Sequence, residues 1–287
     1  MKNLLILLSL LICTIGYSQK LKIIDQDFEK AREIANQENK LLFIDFYTTW
    51  CAPCKKMDKW IFQNDTLSQH LANDFVLLRY DAEKDKKFNL SKKHHVNSYP
   101  TGIILNSNGY ILNRKYGFPG EDVKELSESV FGFADESIEL NKQNRFQKGY
   151  SNNVEISKYP EFYIDFVNRD DTKVEASQEF KNYWKIERDE LSEEYFSTLV
   201  YFADKIPSSN MDSFLENKES YVDKYGEQDV DIALFHMIRG RFKVAINEKS
   251  ESKFKMANEF MKKIITEDEL NMFIPFFEKQ FKEATNE

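Results

Sequence analysis

Between Leu41 and Tyr47 every residue except Asp45 is apolar, and the chain then turns into Cys51-Ala52-Pro53-Cys54. A continuous apolar run of this length, rich in aromatic residues, suits a strand buried on both faces. Such a strand needs covering layers above and below it. A helix is expected from Ala52 to about Phe62, because proline is tolerated in a first helical turn. Two thiols separated by two residues can close a small disulfide ring. The first lies where unpaired N–H groups and the helix dipole favour negative charge, which on sulfur means thiolate.

The flanking segments supply the layers. Asp25 to Asn39 reads as a helix capped by Asp27, with Phe28, Ala31, Ile34 and Ala35 at helical spacing. Phe75 to Tyr80 is a strand, Asp85 to His95 a helix, and Gly102 to Asn106 a strand. Ser107-Asn108-Gly109 is a turn signal, and Tyr110 to Tyr116 returns as the second arm of a hairpin. A helix from Glu121 to about Phe133 follows. This order predicts a mixed sheet with helices on both faces.

From about Asp135 the strand-like runs stop and amphipathic helical patterns follow to the end. Ser192 is placed as a cap, Met211–Tyr225 reads as one helix, Thr266 and Glu269 have capping-box spacing, and Pro275 is expected to kink or split the last helix. No fixed repeat period holds, so a regular solenoid is not expected. The aromatic stripes read as core. The organisation is a signal peptide over 1–18, a sheet domain over 19–137 and a helical domain over 138–287. A fragment ending near Ser137 is expected to fold by itself.

The first residues carry Lys2, then an apolar run too short to span a bilayer, then small residues at Gly16 and Ser18. This reads as a secretory signal cleaved after Ser18; the alternative is an uncleaved anchor. Cys13 ends the run, but it follows Ile12 where lipoprotein signals carry a small residue. Cleavage removes Lys2 and Cys13, takes the formal charge from −8 to −9, and leaves Cys51 and Cys54 as the cysteines of the mature chain. One bridge over so short a loop restricts the unfolded chain little, so the pair points to redox chemistry and not to a stapled scaffold. An acidic chain gives no electrostatic case for a nucleic-acid partner. His94 and His95 are adjacent, have no partner motif, and read as surface residues without a metal; Lys84, Asp85, Lys86 and Lys87 read as a solvated helix face. No cofactor is expected, and nothing here speaks to oligomeric state.

Trp50-Cys51-Ala52-Pro53-Cys54-Lys55 resembles the active-site motif of thioredoxins. Asp45 falls where that family carries a buried aspartate, Tyr99-Pro100-Thr101 resembles its cis-proline segment, and Asn106–Gly109 with the following strand and helix resembles its closing hairpin. The resemblance covers roughly residues 21–135. It implies an α/β thioredoxin-like sandwich followed by an all-α C-terminal domain, and an activity of thiol–disulfide exchange. On this reading Cys51, exposed at the turn, attacks a substrate disulfide and Cys54, deeper in the helix and more buried, resolves the mixed disulfide. Asp45 is the one ionisable residue of the buried run, so burial raises its pKa and suits it to accept the Cys54 proton. Trp50, Pro53, Tyr99 and Pro100 form the substrate contact. One departure stands out: where many thioredoxins place a lysine near the aspartate, the comparable position is Leu77, with Arg79 two residues on.

The function expected is that of an exported, periplasmic oxidoreductase working in the reducing or exchange direction. Its partners would be exported proteins that carry disulfides or thiols, and a membrane electron carrier would supply it. The alternative is a redox-independent binding module on the same fold, distinguished by whether function survives replacement of both cysteines.

Overall fold

The computed structural model describes residues 20–96, 98–153, 155–168, 174 and 177–285. Residues 1–18, read above as a secretory signal, lie outside the described residues. Contacts divide the chain into two compact units, one made of residues up to Ala82 with Ser98–Arg145, the other of Glu83–Asn97 with Phe146 onward. The division therefore differs from the expected boundary in two ways. Ser137 lies inside a continuous helix, is buried, and donates its hydroxyl to Phe133 O at 2.7 Å. The short segment 83–97, inside the expected sheet domain, belongs to the second unit.

The first unit is a five-stranded sheet in the order β1 (Lys22–Asp25), β3 (Phe75–Asp81), β2 (Leu41–Tyr47), β4 (Thr101–Leu105), β5 (Ile111–Tyr116). β1 and β2 run parallel to β3, while β4 and β5 run antiparallel to their neighbours. The apolar run at Leu41–Tyr47 thus becomes the central strand, which is why it carries no polar face. Its Phe43 ring meets Phe62, Phe133 and Phe75 at 5.8, 5.5 and 6.3 Å, joining sheet and helices in one aromatic core. β1 was not anticipated from sequence. It has four residues, and it exists through its pairing with β3 and not through any pattern of its own.

Helices cover the sheet: α1 (Phe28–Gln37), α2 (Ala52–Met57), α3 (Gln69–Ala72) and, after the short α4 (Leu90–Lys93) of the second unit, α5 (Val123–Lys142). Asp27 caps α1 by accepting from Lys30 N at 3.2 Å. α2 does not run uniformly to Phe62; from Asp58 to Phe62 it widens into a π-turn, with Gln63 N bonded to Asp58 O. The hairpin closes where Gly109 takes φ 84°, a conformation that side chains disfavour.

The second unit is helical. Its inserted piece contributes α4 (Leu90–Lys93), much shorter than the expected helix over 85–95, because Asp85 folds back to cap it, accepting from Leu90 N and Ser91 N at 3.1 and 2.8 Å. Asp85 is consequently buried, whereas Lys84, Lys86 and Lys87 are exposed. The remaining helices are α6 (Glu161–Asn168), α7 (Gln178–Tyr183), α8 (Glu193–Phe202), α9 (Ser208–Glu216), α10 (Lys218–Tyr225), α11 (Glu227–Asn247), α12 (Glu251–Lys262) and α13 (Glu267–Thr285). The segment read as one helix over 211–225 breaks at Asn217, whose side chain bonds back to Ser213 O at 2.9 Å. α13 passes through Pro275 without splitting, since an exposed proline costs it one backbone bond. Ser192 caps α8, and the Thr266–Glu269 capping box forms. Among the described residues no helix is long and apolar enough to cross a membrane.

His94 and His95 are buried, not on the surface. His95 Nε2 lies 2.6 Å from Tyr150 OH, which donates to Asp229 Oδ2 at 2.8 Å. The adjacent sequence positions gave no sign of this, because the partners lie more than fifty residues away.

Candidate active site

β2 ends at Tyr47, and the loop after it places Cys51 as the N-cap of α2, with extended backbone and its sulfur accepting from Cys54 N at 3.1 Å. Pro53 sits in the first turn, where its missing N–H costs no helical bond. Cys51 and Cys54 are joined as a disulfide, with Cα atoms 5.3 Å apart. The sequence led us to expect Cys51 exposed and Cys54 deeper. Instead both are nearly covered, 2% and 3% exposed, because the closed ring folds the Cys51 sulfur back towards the helix. Ala52 and Pro53 between them stand out in solvent, as do Lys55 and Lys56 just beyond. Trp50 is 56% exposed, and its ring meets Tyr99 edge-on at 6.0 Å. Tyr99–Pro100 is a cis peptide; Pro100 is buried and its carbonyl accepts from Gly117 N at 2.8 Å.

Asp45 lies in a row of register partners that crosses the sheet: Asp25, Arg79, Asp45, Gly102, Lys115. Its side chain is buried, and Oδ1 has no hydrogen-bond partner among the described residues. Burial pushes its pKa up to about 7; the Arg79 guanidinium pulls in the opposite direction and the Asp58 carboxylate adds to the rise. Glycine at 102 makes the apolar cover possible. A Cβ there would come within 2.7 Å of the Phe118 ring and 3.0 Å of Phe133, so any side chain would lift these rings off the strand beside Asp45.

The cation near Asp45 is Arg79, its direct register partner. Leu77 is instead paired with Phe43 in the core. Arg79 is shared: its Nε lies 3.3 Å from Asp58, its Nη1 3.6 Å from Asp25, and its guanidinium covers the Tyr47 ring at 5.1 Å. A guanidinium stays charged throughout the working pH range, so it sets a field without itself carrying protons. The Asp58 carboxyl is also held above its usual range, chiefly by burial, against the pull of Arg79. Sequence reasoning overlooked Asp58, although it lies four residues after Cys54 and so falls on the same side of the helix.

A cysteine pair at a helix start, with a buried acid titrating near neutrality, can pass two electrons to a disulfide when it is a dithiol, can accept two when it is the closed ring, and can manage the accompanying protons. Comparisons with known proteins agree. A family model described as thioredoxin-like matches residues 23–107. Thioredoxin-1 of Drosophila melanogaster is 33% identical over 101 residues, which is 35% of this chain and 84% of that protein. The thiol:disulfide interchange protein DsbD of Yersinia pestis is 33% identical over 78 residues, covering 26% of this chain but only 13% of DsbD. A solution structure of a candidate disulphide-isomerase from Bacteroides thetaiotaomicron shares 37% identity, with 39% of this chain and 91% of that one covered and a TM-score of 0.33. The helical segment after residue 146 lies beyond the family-model match. The chain belongs to the thioredoxin family, and its cysteine pair makes it a thiol–disulfide oxidoreductase.

Proposed function

We propose that the protein reduces or exchanges disulfides in exported proteins, with Cys51 as attacking thiol and Cys54 as resolving thiol. One observation carries this assignment: the Cys51 sulfur at the helix start accepts the Cys54 N–H. The same donor favours a thiolate on Cys51 in the dithiol form. The Cys51 thiolate attacks a substrate disulfide, forms a mixed disulfide and expels one substrate thiolate. The Cys54 thiolate then attacks the Cys51 sulfur, closes the ring and releases the second substrate thiol. Two electrons pass from the protein to its substrate. Asp45 receives the Cys54 proton, a role supported by its burial and by a pKa of about 7. Trp50, Pro53, Tyr99 and Pro100 make the substrate contact. A dithiol electron carrier of the membrane restores the reduced pair. The periplasmic setting rests on the signal-like first residues and on the partial likeness to a thiol:disulfide interchange protein.

The test is trapping. A Cys54→Ser protein is expected to accumulate mixed disulfides with exported proteins, visible as reducible bands on gels, and Cys51→Ser to accumulate none. Equal trapping by both variants overturns the roles. Trapping confined to small-molecule disulfides overturns the substrate class.

A further inference from the structure

We infer that the helical unit carries a docking groove for an acidic amphipathic helix of a partner protein. Eight large apolar side chains stand exposed among the described residues, and five of them, Phe235, Val244, Met256, Met272 and Phe276, line two adjoining clefts on α11. One cleft, of about 700 Å³, lies between α11 and α13. The other, of about 550 Å³, lies between α11, α12 and the start of α9. Lys243 and Asn247 line both, so the two form one surface along α11. From Phe235 to Asn247 this surface is about 18 Å long, or roughly three helical turns.

Its charge opposes that of the chain. The formal net charge is −8, yet the larger cleft contains no carboxylate and carries Arg239 and Lys243. The smaller adds Lys205, Arg241 and Lys253, the last paired with Glu248, against the single acid Asp204 of its lining. Arg239 and Lys243 are four residues apart on one helix, a like-charge spacing that destabilises an isolated helix. Neither forms an ion pair with a carboxylate among the described residues. Two exposed cations beside Met272 and Phe276 suit a ligand with an apolar stripe and an acidic flank. The length and the pair of clefts suit a helix seated by side chains about two turns apart, the groove mode of peptide recognition, in which methionine adapts to its guest. A small anionic amphiphile would fill one cleft and leave the other, with Met256, uncovered. A flat bilayer would not enter either.

The probe is a fluorescein-labelled synthetic peptide of about 15 residues, roughly four turns, with leucine at i, i+3, i+4 and i+7 and glutamate elsewhere. A control peptide carries lysine in place of glutamate. Anisotropy titration of the full chain is expected to show binding of the acidic peptide at least about tenfold tighter than of the control, weakening with salt. The double variant Arg239→Glu/Lys243→Glu is expected to reverse that preference, and Met272→Ser/Phe276→Ser to remove binding of both; these side chains are exposed, and circular dichroism checks the fold. Binding is expected to survive Cys51→Ser, which separates this inference from the redox assignment. No binding, equal binding of the two peptides, or binding untouched by the charge reversal overturns it. So does co-sedimentation with phosphatidylglycerol vesicles that depends on Met272 and Phe276, which gives the face to a membrane. Self-association abolished by the charge reversal gives it to a second copy.

Discussion

Each unit buries polar groups, and the acid of the central strand is treated unlike two buried clusters of the helical unit. In the sheet unit Asp45 lies on the central strand with Oδ1 unpartnered, and its nearest cation is already engaged by Asp58 and Asp25. In the helical unit two groups of buried polar side chains are joined in networks. His95, Tyr150 and Asp229 form one chain. The Lys93 ammonium meets Glu193 and donates to Ser151 Oγ at 2.8 Å, and Tyr159 OH donates to Glu193 at 2.9 Å. Burial drives the Lys93 pKa down while Glu193 holds it up, and burial followed by the Glu193 charge raises that of Tyr159. A satisfied network holds chain segments in place. An under-satisfied acid costs stability, and such a cost persists where chemistry needs a group that changes charge near neutral pH.

The strongest test of the contrast is the reaction itself. Cys51→Ser is expected to lower disulfide reduction by about a thousandfold or more, with the melting temperature of the variant near that of the reduced parent, since the nucleophile is lost and the fold is not. Residual activity near the parent's would move the chemistry elsewhere.

Next, Asp229→Ala removes the carboxylate to which Tyr150 OH donates and so cuts the network that reaches His95. A loss of about 3 kcal/mol in denaturant unfolding is expected. A loss below about 0.5 kcal/mol, within the usual range of surface substitutions, would show that the network is ornamental.

Asp45→Asn is expected to act the other way. It slows release of the mixed disulfide, by about tenfold to a hundredfold near neutral pH, by removing a proton acceptor. Its stability effect has a definite sign. With a folded pKa of about 7 against an ordinary 3.8, the folded state holds a proton that the unfolded chain has released between those values. Asp45 therefore favours folding most below the unfolded pKa, and that contribution is lost as pH rises through about 7. Relative to the asparagine variant, the parent should lose on the order of 3 kcal/mol between about pH 4 and pH 8. Parallel pH–stability curves would make Asp45 an ordinary core residue.

The smallest effect concerns a cap that serves neither chemistry nor a buried network. Thr266→Ala removes the hydroxyl that accepts from Glu269 N and donates to its carboxylate at the start of α13, and should cost about 1 kcal/mol. A loss as large as that of Asp229→Ala would remove the distinction between exposed caps and buried networks.

Much of the site was legible because it is local. The two cysteines, the proline between them and the acid six residues earlier share one strand–turn–helix, and apolar patterning revealed the strand. Asp58 was equally local, through its spacing from Cys54, and was passed over. The expected helix over 85–95 failed because Asp85 competes for backbone N–H groups as a cap, a choice that periodicity does not register. β1 was missed because four residues carry too little pattern to declare a strand without the neighbour they pair with.

By itself the sequence determined the central strand, the redox motif at a helix start, the mixed sheet and the helical character of the second half, since each follows from residues within a few turns of one another. Tertiary structure alone decided that Arg79 is the cation beside Asp45, that phenylalanine rings seal that acid through the gap at Gly102, and that residues 83–97 join the helical unit. Those outcomes depend on side chains brought together from distant positions, where hydrogen bonds and excluded volume act through space and leave no periodic trace along the chain.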